Sequence, residues 1–337
     1  MQANFEAGQK QLNSSYNLLC TNGRKCPGWG VDSFDGRAKN LMLTMTPNSK
    51  KLFHSFVVPQ QISFTPYAKP QTSFSDGAGV FGLPSDFVTY VNAIIAQSKG
   101  YRGLYSQSWT DVLNSYFQGH SDTGVSVVQG QVELFDMSLP TSTQGQFEPY
   151  FVRNLLLLPG NYSTSDEVTL FNRFFELYGT SMIVQRAGGG LVEQRSRWKT
   201  PLSHTMNKSS LLTNAQIDFT KSTGLGGHSG TINPTYAANR VVDSGNSSGG
   251  YYCYGGEASM CKKGSTSHWQ ATLTAHPAML DYTTVPLTKL LAASPHTASD
   301  PTLGVAMEAA VRGYIHTKTS AWAAVNKCPK AGCNGAW

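Results

Sequence analysis

Two glycine-framed segments have the spacing of known reaction chemistry. Gly227-His228-Ser229-Gly230-Thr231 approaches the GxSxG turn that projects a nucleophilic serine, with Thr231 where the last glycine belongs. A secreted serine hydrolase built on it would use Ser229, a distant Asp, and His276 or His296 as the base; this is the enzyme alternative. Gly77-Ala78-Gly79-Val80-Phe81-Gly82 fits the dinucleotide spacing GxGxxG, yet residues 70–76 before it are turn-like and no acidic residue stands about 20 positions on. It reads as a flexible entry to a helical region. The eight histidines show no HExxH or other ligand spacing, so neither a metal nor another cofactor is predicted.

The six cysteines fall into three close pairs, Cys20 with Cys26, Cys253 with Cys261, and Cys328 with Cys333. Each pair encloses a short loop rich in Gly, Lys or Asn, which reads as three local disulfides in an oxidising compartment. A metal site would want CxxC pairs or nearby histidines, and neither is present. Sequons at Asn13, Asn161, Asn207 and Asn246 agree with secretion. The opening MQANFEAGQKQLN lacks a basic stretch followed by an apolar core, and NKCPKAGCNGAW ends just after a cysteine pair. The chain therefore reads as a mature form or a fragment, with a separate targeting domain left open.

At 337 residues the length lies between one large domain and two. Charged residues make up 14% of the chain, against about 25% in an average soluble protein, so the surface leans on Ser, Thr, Asn, Gln and Gly. The net charge of +6 is mild and not gathered into runs; nucleic acid is not an expected partner, whereas weak attraction to anionic lipid head groups is allowed. No stretch is apolar for the length of a membrane-crossing helix, so any entry into lipid would be by strands.

The elements that must position these residues follow from periodicity. A helix is predicted at 165–178: Thr164 and Glu167 have capping-box spacing, Val168, Phe171, Phe175 and Tyr178 share a face, and Gly179 can end it. Another is predicted at 301–317, capped by Asp300 with Pro301 in its first turn. Two short amphipathic helices are predicted within 85–118, separated by a breaker at 100–103. Long strands are predicted at 125–139, at 182–197 with an interruption at three glycines, and at 251–273. No repeat period is visible.

Residues 200–247 stand apart, since 24 of these 48 are Ser, Thr, Asn or Gly. One reading is a long mobile insertion. The other rests on Ala215, Ile217 and Phe219 alternating with Gln216, Asp218 and Thr220; extended, the first set could face lipid and the second water.

Tyr178-Gly179-Thr180-Ser181-Met182 followed by Gly188-Gly189-Gly190 resembles the signature of the membrane-attack-complex/perforin (MACPF) superfamily. That signature is an aromatic residue, Gly, Thr or Ser, His, an aromatic residue, and then a glycine pair. Ser181 stands where the family usually has His, and Met182 where it usually has Phe or Tyr. The order of further features is also similar: Gly28-Trp29-Gly30-Val31-Asp32 upstream, then Gly255-Gly256, Cys261, Trp269, Leu273 and LDYTTVPLTKLL at 280–291.

The resemblance implies an α+β fold, MACPF/cholesterol-dependent-cytolysin-like, with a bent four-stranded antiparallel sheet flanked by two helical clusters. Carried onto this chain, residues 1–27 are a lead-in, 28–320 the MACPF domain, and 321–337 the start of a cysteine-containing C-terminal segment. The clusters would be 67–123 and 200–247, with Gly188, Gly189 and Gly190 at the bend of the sheet. The implied function is a secreted, non-enzymatic pore former whose partners are a lipid bilayer and its own copies in a ring or arc. It would insert two β-hairpins per subunit. Only seven of the 57 residues in 67–123 and five of the 48 in 200–247 are charged, which suits insertion. The alternative within the family is a non-lytic protein of adhesion, signalling or development.

Overall fold

In the computed structural model the residues described are 19–20, 25–34, 36–74, 79–81, 99–100, 123–141, 145–199, 206–242, 251–261, 266–292 and 300–325. The strands are β1 (Trp29–Val31), β2 (Ala38–Leu41), β3 (Pro47–Phe53), β4 (Phe56–Pro59), β5 (Ser63–Phe74), β6 (Gly79–Phe81), β7 (Lys99–Gly100), β8 (Thr123–Ser138), β9 (Ser181–Lys199), β10 (Arg240–Val242), β11 (Tyr251–Tyr254) and β12 (Ala278–Pro286). The α-helices are α1 (Pro149–Leu155), α2 (Ser165–Tyr178), α3 (Lys208–Thr223), α4 (Pro234–Asn239), α5 (Thr266–Thr272), α6 (Leu287–Ala292) and α7 (Pro301–Val325).

The frame is an antiparallel sheet organised on β8 and β9, which pair from Thr123↔Lys199 to Ser138↔Gln185. Outside β8 lie β5 and, continuing its line, β6. On the far side of β9 three segments share the fourth position: β12 opposite residues 181–189, β11 opposite 191–194 and β10 opposite 196–198. β1 and β2 extend the end of the sheet through Gly30↔Met182 and Val31↔Ser181, and β3 and β4 form a separate hairpin.

The expected helices at 165–178 and 301–317 are present, the second running on to Val325. Thr164 and Glu167 close both halves of the capping box, and Asp300 Oδ1 accepts from the amides of Thr302 and Leu303. Phe171, Phe174, Phe175 and Tyr178 are buried, with Phe175 stacked at 5.2 Å from Tyr314 of α7. That apolar stripe, rather than local propensity, fixes the two helices against each other.

Four expectations are corrected. The strand expected over 251–273 stops at Tyr254; α5 occupies 266–272, and the ladder is completed by β12. The first cluster does not begin at 67, because 67–74 belong to β5 and 79–81 to β6, so the GxGxxG segment is in part a paired strand rather than a flexible entry. β9 is not interrupted at Gly188-Gly189-Gly190 but runs through them. Gly100, expected in a helix break at 100–103, pairs with β12 instead, together with Lys99 before it. The two helices expected within 85–118 otherwise fall outside the described residues.

Candidate functional site

The signature segment sits where α2 turns into β9. Gly179 ends the helix at φ 75°, and a side chain there would meet the Val31 carbonyl at 2.2 Å, so only glycine lets β1 approach this turn. Thr180 and Ser181 bury their hydroxyls in a three-membered cluster with Ser33: Thr180 Oγ1 donates to Ser33 Oγ at 2.8 Å, and Ser33 Oγ lies 2.9 Å from Ser181 Oγ. Next to Ser33, Asp32 accepts from the Tyr314 hydroxyl at 2.7 Å. Met182 is fully buried, and Leu287 N donates to Thr180 O at 3.0 Å. The segment thus ties together α2, β1, α6 and α7 at one end of the sheet.

At Gly188 to Gly190 both neighbouring ladders lose register, β8 between Glu133 and Phe135 and β12 between Met279 and Tyr282. A Cβ on Gly188 would stand 2.1 Å from the Phe135 ring, on Gly189 2.0 Å from the Val132 carbonyl oxygen, and on Gly190 2.4 Å from Leu273 and 2.6 Å from Trp269. Paired irregularities on both sides of one strand are where a sheet can bend. The missing side chains let Phe135 and Trp269 close over it.

Beyond these glycines the sheet has two unlike faces. Val128, Val132, Val192 and Phe74 lie on the side covered by α3, whose Phe219 is fully buried, 6.0 Å from Phe74 and pressed onto Gly130. The opposite face carries Gln129, Glu193 and Arg195, exposed by only 0%, 0% and 2%. Gln129 Nε2 donates to Glu193 Oε2 at 2.6 Å, Arg195 Nε donates to Glu193 Oε1, and the Arg195 guanidinium lies 4.0 Å over the Tyr252 ring. Nearby, Glu133 accepts from Gln131, and burial together with Asp136 pushes its carboxyl above the ordinary range.

The Ser/Thr/Gly-rich stretch is not an unstructured insertion within the described residues. Asn207 Oδ1 caps α3 by accepting from Ser210 N at 2.8 Å, and Gly224 ends the helix in the left-handed region. Ala215, Ile217 and Phe219, expected to share one face of a strand, are all buried here in helical form. Asp218 is fixed from the sheet side by Gln194 Nε2 at 2.9 Å and by an ion pair with Arg240. The glycine loop after α3 leads to α4, whose Tyr236 is buried.

Ser229 is exposed in that loop, between two helices rather than between a strand and a helix, while His228 meets Phe74 edge to face at 4.9 Å. Among the described residues no hydrogen bond joins Ser229 to His276, and His296 lies outside them. The geometry of a nucleophile turn is absent. Cys20 is joined to Cys26 and Cys253 to Cys261; Cys328 and Cys333 lie outside the described residues. Asn161 and Asn207 are exposed, and the sequons at Asn13 and Asn246 are not described. No described helix is long and apolar enough to cross a membrane, and no described group of three or more His, Cys, Asp or Glu could hold a metal. The buried Glu193 and Arg195 were missed by sequence reasoning, though opposite charges two residues apart in a strand place both on one face.

Residues 28–321 match the family model of the MAC/Perforin domain. No curated protein sequence is significantly similar to the chain. Among solved structures, GNIP1Aa from Chromobacterium piscinae superposes with a TM-score of 0.58 at 15% identity, over 88% of this chain and 55% of that one. The chain therefore spans about half the length of that relative. A MAC/Perforin-domain protein from Bacteroides thetaiotaomicron gives a TM-score of 0.45 at 13% identity, over 85% of this chain and 60% of that one. Astrotactin-2, a perforin-like vertebrate membrane protein, gives 0.41 at 13% identity, over 84% and 96%. The first of these establishes likeness of fold alone.

Proposed function

This chain belongs to the MAC/Perforin family, and from that premise we propose that it oligomerises on a lipid bilayer and inserts two β-hairpins per subunit into a shared transmembrane barrel. One observation carries the reading: both segments assigned to insertion are rooted in strands already paired in the same sheet. Segment 82–124 rises from the pair Phe81↔Val125, and segment 199–239 from Arg240↔Trp198. Zipping those ladders onward continues the existing antiparallel register. Each segment holds about 40 residues, where two bilayer-crossing strands need about 18–22.

Re-laid as strand, α3 would turn Ala215, Ile217 and Phe219 to one side and Gln216, Asp218 and Thr220 to the other. About five apolar side chains per strand, at about 1.5–3 kcal/mol each, favour entry by about 7–15 kcal/mol. A lone hairpin would leave two edges of unpaired backbone groups in hydrocarbon, each group costing several kcal/mol. Insertion therefore follows assembly, when neighbouring hairpins satisfy each other's edges. The joined cysteines and exposed sequons support passage through an oxidising compartment before membrane attachment. One domain then covers 28–320, with insertion segments at 82–124 and 199–239 in place of the wider limits read from sequence.

The test is dye release from liposomes with α3 locked to β9 by Gln194→Cys and Asp218→Cys, positions whose side chains already meet. The oxidised protein should bind liposomes without releasing dye, and reduction should restore release. Equal release from the locked form would remove 199–239 from the mechanism. The non-lytic reading draws on Ser181, whose hydroxyl is tied to Ser33 where the family usually carries His; membrane binding without leakage by the unlocked protein would favour it.

A further inference from the structure

We propose that Arg240 and Gln194 form a binding site for the head group of an anionic phospholipid, and that the Asp218 carboxylate fills it until α3 leaves the sheet. The inference rests on the insertion reading above and adds to it a ligand and a trigger.

The site already holds an anion. Asp218 accepts from Gln194 Nε2 at 2.9 Å and is ion-paired with Arg240. Gln194 is 4% exposed, and the side chains of Asp218 and Arg240 are 15% and 20% exposed. A guanidinium with a buried amide beside it suits the oxygens of a phosphate as well as those of a carboxylate. Asp218 uses only half of the Gln194 amide, because Oε1 is buried without a hydrogen-bond partner among the described residues. A phosphodiester bearing a hydroxyl or an ammonium would use both halves: its charged oxygens accept from Arg240 and Gln194 Nε2, and its own donor turns to Oε1. Phosphatidylserine and phosphatidylglycerol have that chemistry. Phosphatidylcholine has neither a net charge nor a head-group donor.

The site and its present occupant belong to different parts of the fold. Gln194 is in β9, opposite Val128 and Tyr251, and Arg240 begins β10, paired with Trp198. Both lie outside segment 199–239 and stay with the sheet when that segment is re-laid. Asp218 lies in α3 and departs with it. On the same face, next to Gln194 along the ladder, stand Ser196 and its partner Ser126, both buried. Release of α3 therefore uncovers a cation whose counter-charge has left. It does so at the end of the sheet from which both insertion segments grow, the end that the proposed hairpins direct at the bilayer.

Leaving a part-buried guanidinium without its partner is unfavourable, so in water the Arg240 pair opposes detachment of α3. Asp218 and a phosphate cannot fill the site together. The lipid thus binds only the detached state and draws the equilibrium toward it. The net charge of +6 favours approach to an anionic leaflet in the first place. Contact with such a leaflet and release of α3 are linked in this way, while in solution the carboxylate keeps the helix docked.

Two measurements test this. Dihexanoyl-phosphatidylserine, kept below its micelle concentration, is titrated by calorimetry into the native chain, into Asp218→Asn, and into Asp218→Asn combined with Arg240→Gln. Removing the carboxylate charge should tighten binding about tenfold or more over the native chain, and the second change should abolish it. Hydrogen exchange of residues 208–223 is then followed on phosphatidylserine and phosphatidylcholine liposomes at equal amounts of bound protein. The native chain should lose protection on phosphatidylserine alone, whereas Arg240→Gln, which also breaks the ion pair, should be loosened equally on both. The proposal is overturned if Arg240→Gln keeps the native response to phosphatidylserine, or if Asp218→Asn binds the lipid no better than the native chain. It is equally overturned if inorganic phosphate alone binds Asp218→Asn as tightly as the lipid does. Should one variant fail to fold, the measurement made with the other decides. Lipid binding at this site without dye release by any form would sink the pore-forming reading and leave the site standing. Dye release with the response of α3 unchanged by Arg240→Gln would do the reverse.

Discussion

Replacing Phe219 by Ala should detach α3 from the sheet without unfolding the rest of the molecule. Phe219 is fully buried, its ring lying against Gly130 and 6.0 Å from the ring of Phe74. Truncating a buried Phe to Ala costs about 3–5 kcal/mol. If α3 opens as its own cooperative unit, that whole cost falls on the opening equilibrium. At about 1.4 kcal/mol per factor of ten, the population with α3 detached rises by two to three and a half powers of ten. Hydrogen exchange resolved by residue is the assay. Amides of 208–223 and 234–239 should lose protection by that amount, while those of α2, held by Phe171, Phe175 and Tyr314, keep the protection set by their own local openings. Equal losses in α2 and α3 would mean that α3 opens only with global unfolding, and the argument for a separable insertion segment would fail.

Gly189→Ala should prevent folding or lower the melting temperature sharply, because its Cβ would lie 2.0 Å from a backbone carbonyl that no side-chain rotation can move; soluble yield and thermal melts read this out. Glu193→Gln should destabilise by about 3–5 kcal/mol in urea titrations by leaving Arg195 buried without its counter-charge. Glu193→Leu with Arg195→Met should cost less than that single change, so a double-mutant cycle should be strongly non-additive. Glu167 has its carboxyl held down to about 2, from 4.5, by the amides of Thr164 and Ser163. With the folded value below the unfolded one, its contribution is complete above about pH 4.5 and is lost as pH falls through about 2. The melting-temperature gap between the native chain and Glu167→Gln should therefore be constant near neutrality and close across that acid window.

The parts of the fold legible in the sequence are those whose own residues decide them. Thr164, Glu167, Phe171, Phe175 and Tyr178 state the start, face and end of α2, and Asp300-Pro301 states the start of α7. β5 was hidden because most of its residues are exposed and two are prolines, a composition tolerated only on an edge. The region after Tyr254 misled because the fourth sheet position changes segment there, a hand-over that no local pattern encodes. α3 is ambiguous for a deeper reason. Leu211, Ala215 and Phe219 repeat at the helical interval of four, while Ala215, Ile217 and Phe219 repeat at the strand interval of two. Packing on Gly130 selects the helix here, and the same residues retain a strand pattern for another setting.

That double pattern is the centre of the account, and one measurement reads it directly. Single cysteines from 213 to 222, each carrying an environment-sensitive fluorophore, are scanned on liposomes containing a lipid-borne quencher. The account predicts quenching at 215, 217 and 219 and little at 216, 218 and 220, a period of two that appears only after assembly. A period near 3.6, or no change from the soluble protein while dye is released, would contradict it.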